Sequence, residues 1–145
     1  MYTHILIATD GSELAEAGLT QGLALAKALG ARVTVLSVQV PLTGLALEAL
    51  MESTAVEAYE SSLAEVTART GRMVAERAAA VGVAAEFVAL TRELPAPTIV
   101  ETAAERGCDL IVMTSHGRRG LTRLVLGSQT AEVLALAQVP VLVVR

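Results

Sequence analysis

From Thr114 to Thr130 the chain reads Thr-Ser-His-Gly-Arg-Arg-Gly-Leu-Thr-Arg-Leu-Val-Leu-Gly-Ser-Gln-Thr, directly after the strand-like run Asp109-Leu-Ile-Val-Met113. These residue types at this spacing suit the chemistry of holding an anion. Gly117, Gly120 and Gly127 let the backbone turn at positive φ and come close to a ligand, and Ser128 sets a hydroxyl beside the free N–H groups of a helix start. Arg118, Arg119 and Arg123 add positive charge to one segment of a chain whose formal net charge is −4. Together these are the parts of a phosphate cradle.

Other chemistries fit less well. His116 has no Ser or Cys nucleophile paired with it by a recognisable motif, and neither it nor His4 stands at metal-ligand spacing from a second ligand. Cys108, the one cysteine, sits between a helix-ending Gly107 and a strand as a small buried hydrophobe. A dinucleotide fold would carry G-x-G-x-x-G in its first turn, where this chain reads Thr-Asp-Gly-Ser-Glu. A Walker A loop is absent, and of the acids that a phospho-receiver domain needs only Asp10 is present.

The elements that must position the cradle follow from the apolar pattern. Residues 3 to 9 form an apolar run closed by Asp10-Gly11-Ser12, and runs apolar at both parities fit a central parallel strand covered on both faces. Ser12 is a candidate N-cap, and Ala15, Leu19, Leu23 and Ala26 repeat at helical spacing until Gly30. A second strand spans Val33 to Val40, and helical spacing runs from about Leu45 to Val81, with residues 41 to 53 readable as a loop. Strands at Val83–Leu90 and Asp109–Met113 flank a helix that opens on Pro95 and Pro97 and reaches Gly107. A last helix, Gln129 to Gln138, begins at Ser128, and Val139 to Val144 is the fifth strand.

Strict alternation of strand and helix predicts an α/β, Rossmann-like fold: one open, doubly wound, five-stranded parallel sheet with right-handed crossovers and helices on both faces. In the order 3-2-1-4-5, ligands bind beyond the strand ends where the order reverses, between strands one and four. Asp10 and Thr114 would meet there, with Val38 on the other wall.

The totals set limits. The 145 residues suit one domain, 1–145, with a core of Val, Leu, Ile and Ala, because Tyr2, Tyr59 and Phe87 are the only aromatic residues. An acidic chain without a basic face or stacking aromatics argues against nucleic-acid binding. The lone cysteine allows no internal disulfide, no apolar run reaches a membrane span, and the first residues do not read as a secretory leader, so a cytoplasmic protein is expected.

The segment Val112 to Ser128, the opening Ile5-Leu-Ile-Ala-Thr-Asp-Gly-Ser and the ending Val139-Pro-Val-Leu-Val-Val together resemble the universal stress protein family over the whole chain. ATP-binding members of that family carry G-x2-G-x9-G-[ST]. Gly117, Gly127 and Ser128 match its second Gly, third Gly and hydroxyl residue, and Thr114 replaces the first Gly. The resemblance implies an ATP site, with Mg2+ carried on the phosphates. In it Thr9 and Asp10 lie on the ribose or adenine side, and the Val38 backbone reads the adenine edge. Met113 and Thr114 lead into the phosphate segment, where Gly117, Arg118, Arg119, Gly120, Gly127, Ser128, Gln129 and Thr130 surround the phosphates. It also implies a sensor or switch with slow ATP hydrolysis at most, and a homodimer paired through Val139 to Val144. Thr114 keeps a second expectation open, a nucleotide-free interaction module of the same fold.

Overall fold

The computed structural model describes residues 1–51, 54–115 and 126–145. The chain runs β1 (His4–Ala8), α1 (Glu13–Leu29), β2 (Arg32–Gln39), α2 (Gly44–Leu50), α3 (Ala55–Val81), β3 (Ala85–Thr91), α4 (Pro95–Glu105), β4 (Leu110–Thr114), α5 (Ser128–Leu136) and β5 (Val141–Val144). The strands are parallel and lie in the order β3-β2-β1-β4-β5. The sheet expected from the alternation is therefore observed, with its reversal between β1 and β4.

Local chemistry sets the helix ends. Ser12 Oγ accepts the Ala15 N–H and begins α1. Gly30 (φ 65°) and Gly82 (φ 72°) end α1 and α3 in the left-handed conformation, each donating its N–H back to the last turn.

Alternating strand residues feed two cores, one on each face of the sheet. Ile5, Ile7, Val33, Val35, Leu110 and Val112 meet Leu19 and Leu23 of α1 and Val74 of α3. Leu6, Leu36, Ile111 and Met113 meet Ile99 and Ala103 of α4 and Val133 of α5. Each fully buried Leu, Ile or Val contributes roughly 1.5–3 kcal/mol relative to exposure. The helix α1 sits very close to β1, since a Cβ at Gly22 would lie 2.4 Å from Ile7 Cδ1.

The structure departs from the sequence expectation between Pro41 and Val81. Gly44–Leu50 is helical instead of a loop, and the long helix begins only at Ala55, so the single helical run is two helices. The sequence hides the break because no Gly or Pro interrupts residues 45 to 70. The last helix ends at Leu136, two residues early, because Ala137 turns to an extended ψ of 135° ahead of Pro140.

Candidate functional site

A notch opens at the carboxyl end of β1. Pairing of β1 stops at Ala8 opposite Leu36 and at Ile7 opposite Val112, whereas β2 continues to Gln39 and β4 to Thr114. This is the place where the strand order reverses, where α/β sheets bind ligands.

Backbone polarity lines both walls of the notch. The Thr9 N–H donates to the Leu36 carbonyl at 2.9 Å, so Leu36 turns its polar groups toward β1. Strand groups point to alternate edges, so Val38 turns its N–H and C=O the same way, past the last residue of β1 that pairs with β2. Opposite, the Ser115 N–H donates to the Val144 carbonyl at 2.9 Å, which by the same alternation aims the Thr114 backbone back into the notch. The Thr114 carbonyl accepts the Thr130 hydroxyl at 2.9 Å.

The floor is the turn Thr9-Asp10-Gly11-Ser12. Gly11 has φ 77°, and its N–H donates to Thr9 Oγ1 at 3.2 Å. Asp10 Oδ1 accepts both the Ser12 N–H and the Ser12 hydroxyl, while that hydroxyl caps α1. Sequence reasoning recognised Ser12 only as a cap and missed its bond to Asp10. With Glu13 and Glu16 in its first turn, α1 presents negative charge at a start that is already capped.

The start of α5 has the opposite character. No side chain among the described residues caps it, its first turn holds no acid, and Ser128 and Gln129 are exposed while Thr130 is buried. Its first N–H groups and dipole can meet an anion. The N-cap is Gly127, with Ser128 as the first helical residue. Gly127 has φ −58° and ψ 147°, so the positive φ expected there is corrected. A chain entering a helix needs an extended N-cap, and Gly127 supplies one. Its N–H also donates to the Ser115 carbonyl at 2.8 Å, tying together the two ends of the connection that carries the cradle. Gly117, Arg118, Arg119 and Gly120, with His116 and Arg123, lie outside the described residues.

Thr114 stands where a glycine was expected, and the structure shows one accommodation for it. A Cβ on Gly18 of α1 would lie 3.1 Å from Thr114 Cγ2, so the threonine methyl rests in space that Gly18 leaves open. Nothing in the linear sequence linked these two residues. Thr9, Asp10, the Val38 and Thr114 backbones, Ser128 and Thr130 thus converge from β1, β2, β4 and α5. The side chains of Met113 and Val38 belong to the core on the α4–α5 side.

A second polar group lies at the other end of the central strands, where β1, β2 and β4 begin. His4 Nδ1 lies 3.1 Å from the Arg106 carbonyl and Nε2 lies 2.9 Å from Thr34 Oγ1. Only a donor can face a carbonyl, so Nδ1 carries the proton and Nε2 accepts from Thr34. Burial, with the Arg32 charge, holds His4 below its ordinary pKa. Burial also pushes the Cys108 thiol up to about 11, so it is an inert core group. Burial pushes Asp109 up, but bonds from the Thr3 and His4 N–H groups and the Thr3 hydroxyl outweigh it and leave its pKa below the usual carboxylate value. These contacts pin β1 to β4. Among the described residues, no group of three or more His, Cys, Asp and Glu could hold a metal, and no helix is long and apolar enough to cross a membrane.

Comparison with known proteins matches residues 1–145 to the universal stress protein family. A universal stress protein of Thermus aquaticus is 34% identical over the full length of both chains. The solved structure of protein MJ0577, a universal stress protein of Methanocaldococcus jannaschii, superposes with a TM-score of 0.80 at 29% identity, covering 99% of this chain and 96% of that one. A universal stress protein from Archaeoglobus fulgidus, solved in complex with dAMP, superposes with a TM-score of 0.65 at 23% identity, covering 99% and 98%.

Proposed function

We propose that this chain, which belongs to the universal stress protein family, binds ATP in the notch beyond β1 and acts as a nucleotide-dependent sensor or switch. One observation carries the reading: an acid-free helix start at α5, with no side-chain cap among the described residues, stands across the β1–β4 reversal from the outward-facing backbone edge of Val38. Adenine offers a donor and acceptors on its edges, and one residue's C=O and N–H can meet such a pair. Ribose hydroxyls would donate to Asp10. The phosphates would lie on the N–H groups of Ser128, Gln129 and Thr130, and the family resemblance assigns Gly117, Arg118, Arg119 and Gly120 to the same phosphates. The dAMP complex of the Archaeoglobus fulgidus protein supports the idea that this fold accommodates an adenine nucleotide.

Mg2+ would travel on the phosphates. No general base is assigned to the site, so hydrolysis would be slow and the bound nucleotide itself the signal. The strand β5 lies at a sheet edge with Leu142 39% exposed, which favours pairing of two copies through residues 139 to 144 in a cytoplasmic homodimer. Light scattering should then give twice the chain mass at micromolar concentration.

Isothermal titration with Mg-ATP tests the reading. Saturable heat that Asp10→Ala reduces about tenfold or more in affinity is expected, and no heat at millimolar nucleotide would overturn it. Thr114 favours the rival, a nucleotide-free interaction module. Binding that appears only after Thr114→Gly would establish that rival.

A further inference from the structure

On the α3 side of the β2–β3 pair, at the carboxyl ends of these strands, lies a solvent-open cavity of about 580 Å³. It exists because α3 packs closely along only half its length. The buried residues of α3 are Thr70, Val74 and Ala78, and a Cβ at Gly71 would lie 3.0 Å from the Phe87 ring. Toward the N-terminal half of α3 the same sheet face changes from Val33, Val35 and Phe87 to Ser37, Gln39, Ala89 and Thr91. Facing them, α3 offers Ala64 and Ala68 beside Leu63 and Thr67, and because Ala64, Ala68, Ala89 and Thr91 all stay exposed, the space between opens to solvent. Leu47 of α2 covers it, and Tyr59 donates its hydroxyl to the Val40 carbonyl at one side.

The lining states what would fit. Ligand pockets commonly enclose roughly 300–1,000 Å³ with apolar walls and a few placed polar groups. Gln39 is 8% exposed and lines this cavity. One end of its amide donates to Ser37 Oγ at 3.1 Å, and the amide oxygen meets no donor among the described residues. A buried amide oxygen of this kind calls for one. The lining contains no Lys, Arg or His, and its one charged residue is the exposed Glu60. An anion is disfavoured on both counts.

We propose that this cavity binds a small, mainly apolar molecule that carries a hydrogen-bond donor and no negative charge, such as an alcohol or amine. The donor meets the Gln39 oxygen, and the apolar body lies between Ala64, Ala68 and Ala89 beneath Leu47. The site lies on the α3 face of β2, so it fills without nucleotide and stands or falls separately from the ATP reading.

The test is amide NMR titration of the full chain, without nucleotide, using 1-octanol, octylamine and octanoate as probes. Octanol or octylamine should give saturable shifts centred on Ala64, Ala68, Ala89 and Thr91, with octanoate at least about tenfold weaker. Gln39→Leu should weaken octanol about tenfold while leaving the spectrum folded. Ala64→Leu should fill the space, keep the thermal midpoint and abolish the shifts. Absence of saturable shifts, equal binding of octanoate, an Ala64→Leu chain that binds octanol as before, or one that unfolds for want of room would each overturn the proposal.

Discussion

Replacing Gly11 by Ala tests whether the turn under the notch is built as described. Gly11 sits at φ 77°, where an L side chain costs roughly 1–2 kcal/mol. Its new Cβ would also lie 2.6 Å from Thr70 Oγ1, a buried hydroxyl bonded at 2.8 Å to the Val66 carbonyl. Overpacking of that kind costs about 1–3 kcal/mol, and restricting the unfolded chain returns about 0.4–1 kcal/mol. The net loss is then about 2–4 kcal/mol, or roughly 6–12 °C in Tm for a chain of this length. Thr70→Ala removes the clashing oxygen and leaves the φ penalty, so Gly11→Ala in that background should cost only about 0.5–1.5 kcal/mol. Urea unfolding of the four chains gives the coupling directly. Additivity within about 0.5 kcal/mol would refute the contact between this turn and α3.

Two further predictions follow from packing and titration. Gly18→Ala and Gly22→Ala gain the same helix propensity, about 1 kcal/mol, but the first Cβ meets Thr114 Cγ2 at 3.1 Å and the second meets fully buried Ile7 at 2.4 and 2.8 Å. Gly22→Ala should therefore unfold at lower urea by about 1–3 kcal/mol relative to Gly18→Ala, and equal midpoints would contradict the close seating of α1 on β1. His4 has a folded pKa below its unfolded value near 6.5, so the unfolded chain takes up the proton first. Stability should be level above that pH, fall as pH drops below it through the folded value, and fall again below about 3.8 as Asp109 titrates. His4→Gln should flatten the first decline alone, and an unchanged profile would contradict the buried neutral imidazole.

The parts of the fold that rest on local chemistry were legible in the sequence. Ser12, Gly30 and Gly82 announce helix ends, and the double-parity apolar runs announce covered parallel strands. Alternation then limited the sheet to an order that put Asp10 and Thr114 at one reversal. Features that depend on register were not legible. The outward edge of Val38 exists because β1 pairs with β2 no further than Ala8, and the place for the Thr114 methyl exists because Gly18 of another element faces it. The break between α2 and α3 escaped because no Gly or Pro marks it, and the open cavity escaped because nothing in the sequence sets Ala64 and Ala68 of the helix opposite Ala89 of the strand. Gly127 was expected to turn at positive φ, yet the demand at a helix entrance is for extended backbone.

The central claim concerns the notch and the start of α5, and thermal unfolding with and without Mg-ATP tests it most directly. A ligand that binds only the folded chain stabilises it by RT ln(1 + [L]/Kd), about 2.7 kcal/mol at a hundredfold excess over Kd. A rise of several degrees is expected, diminishing from ATP to ADP to AMP as contacts with the α5 start are withdrawn. An unchanged midpoint for every nucleotide would contradict the account and leave the chain an interaction module that keeps the fold without the ligand.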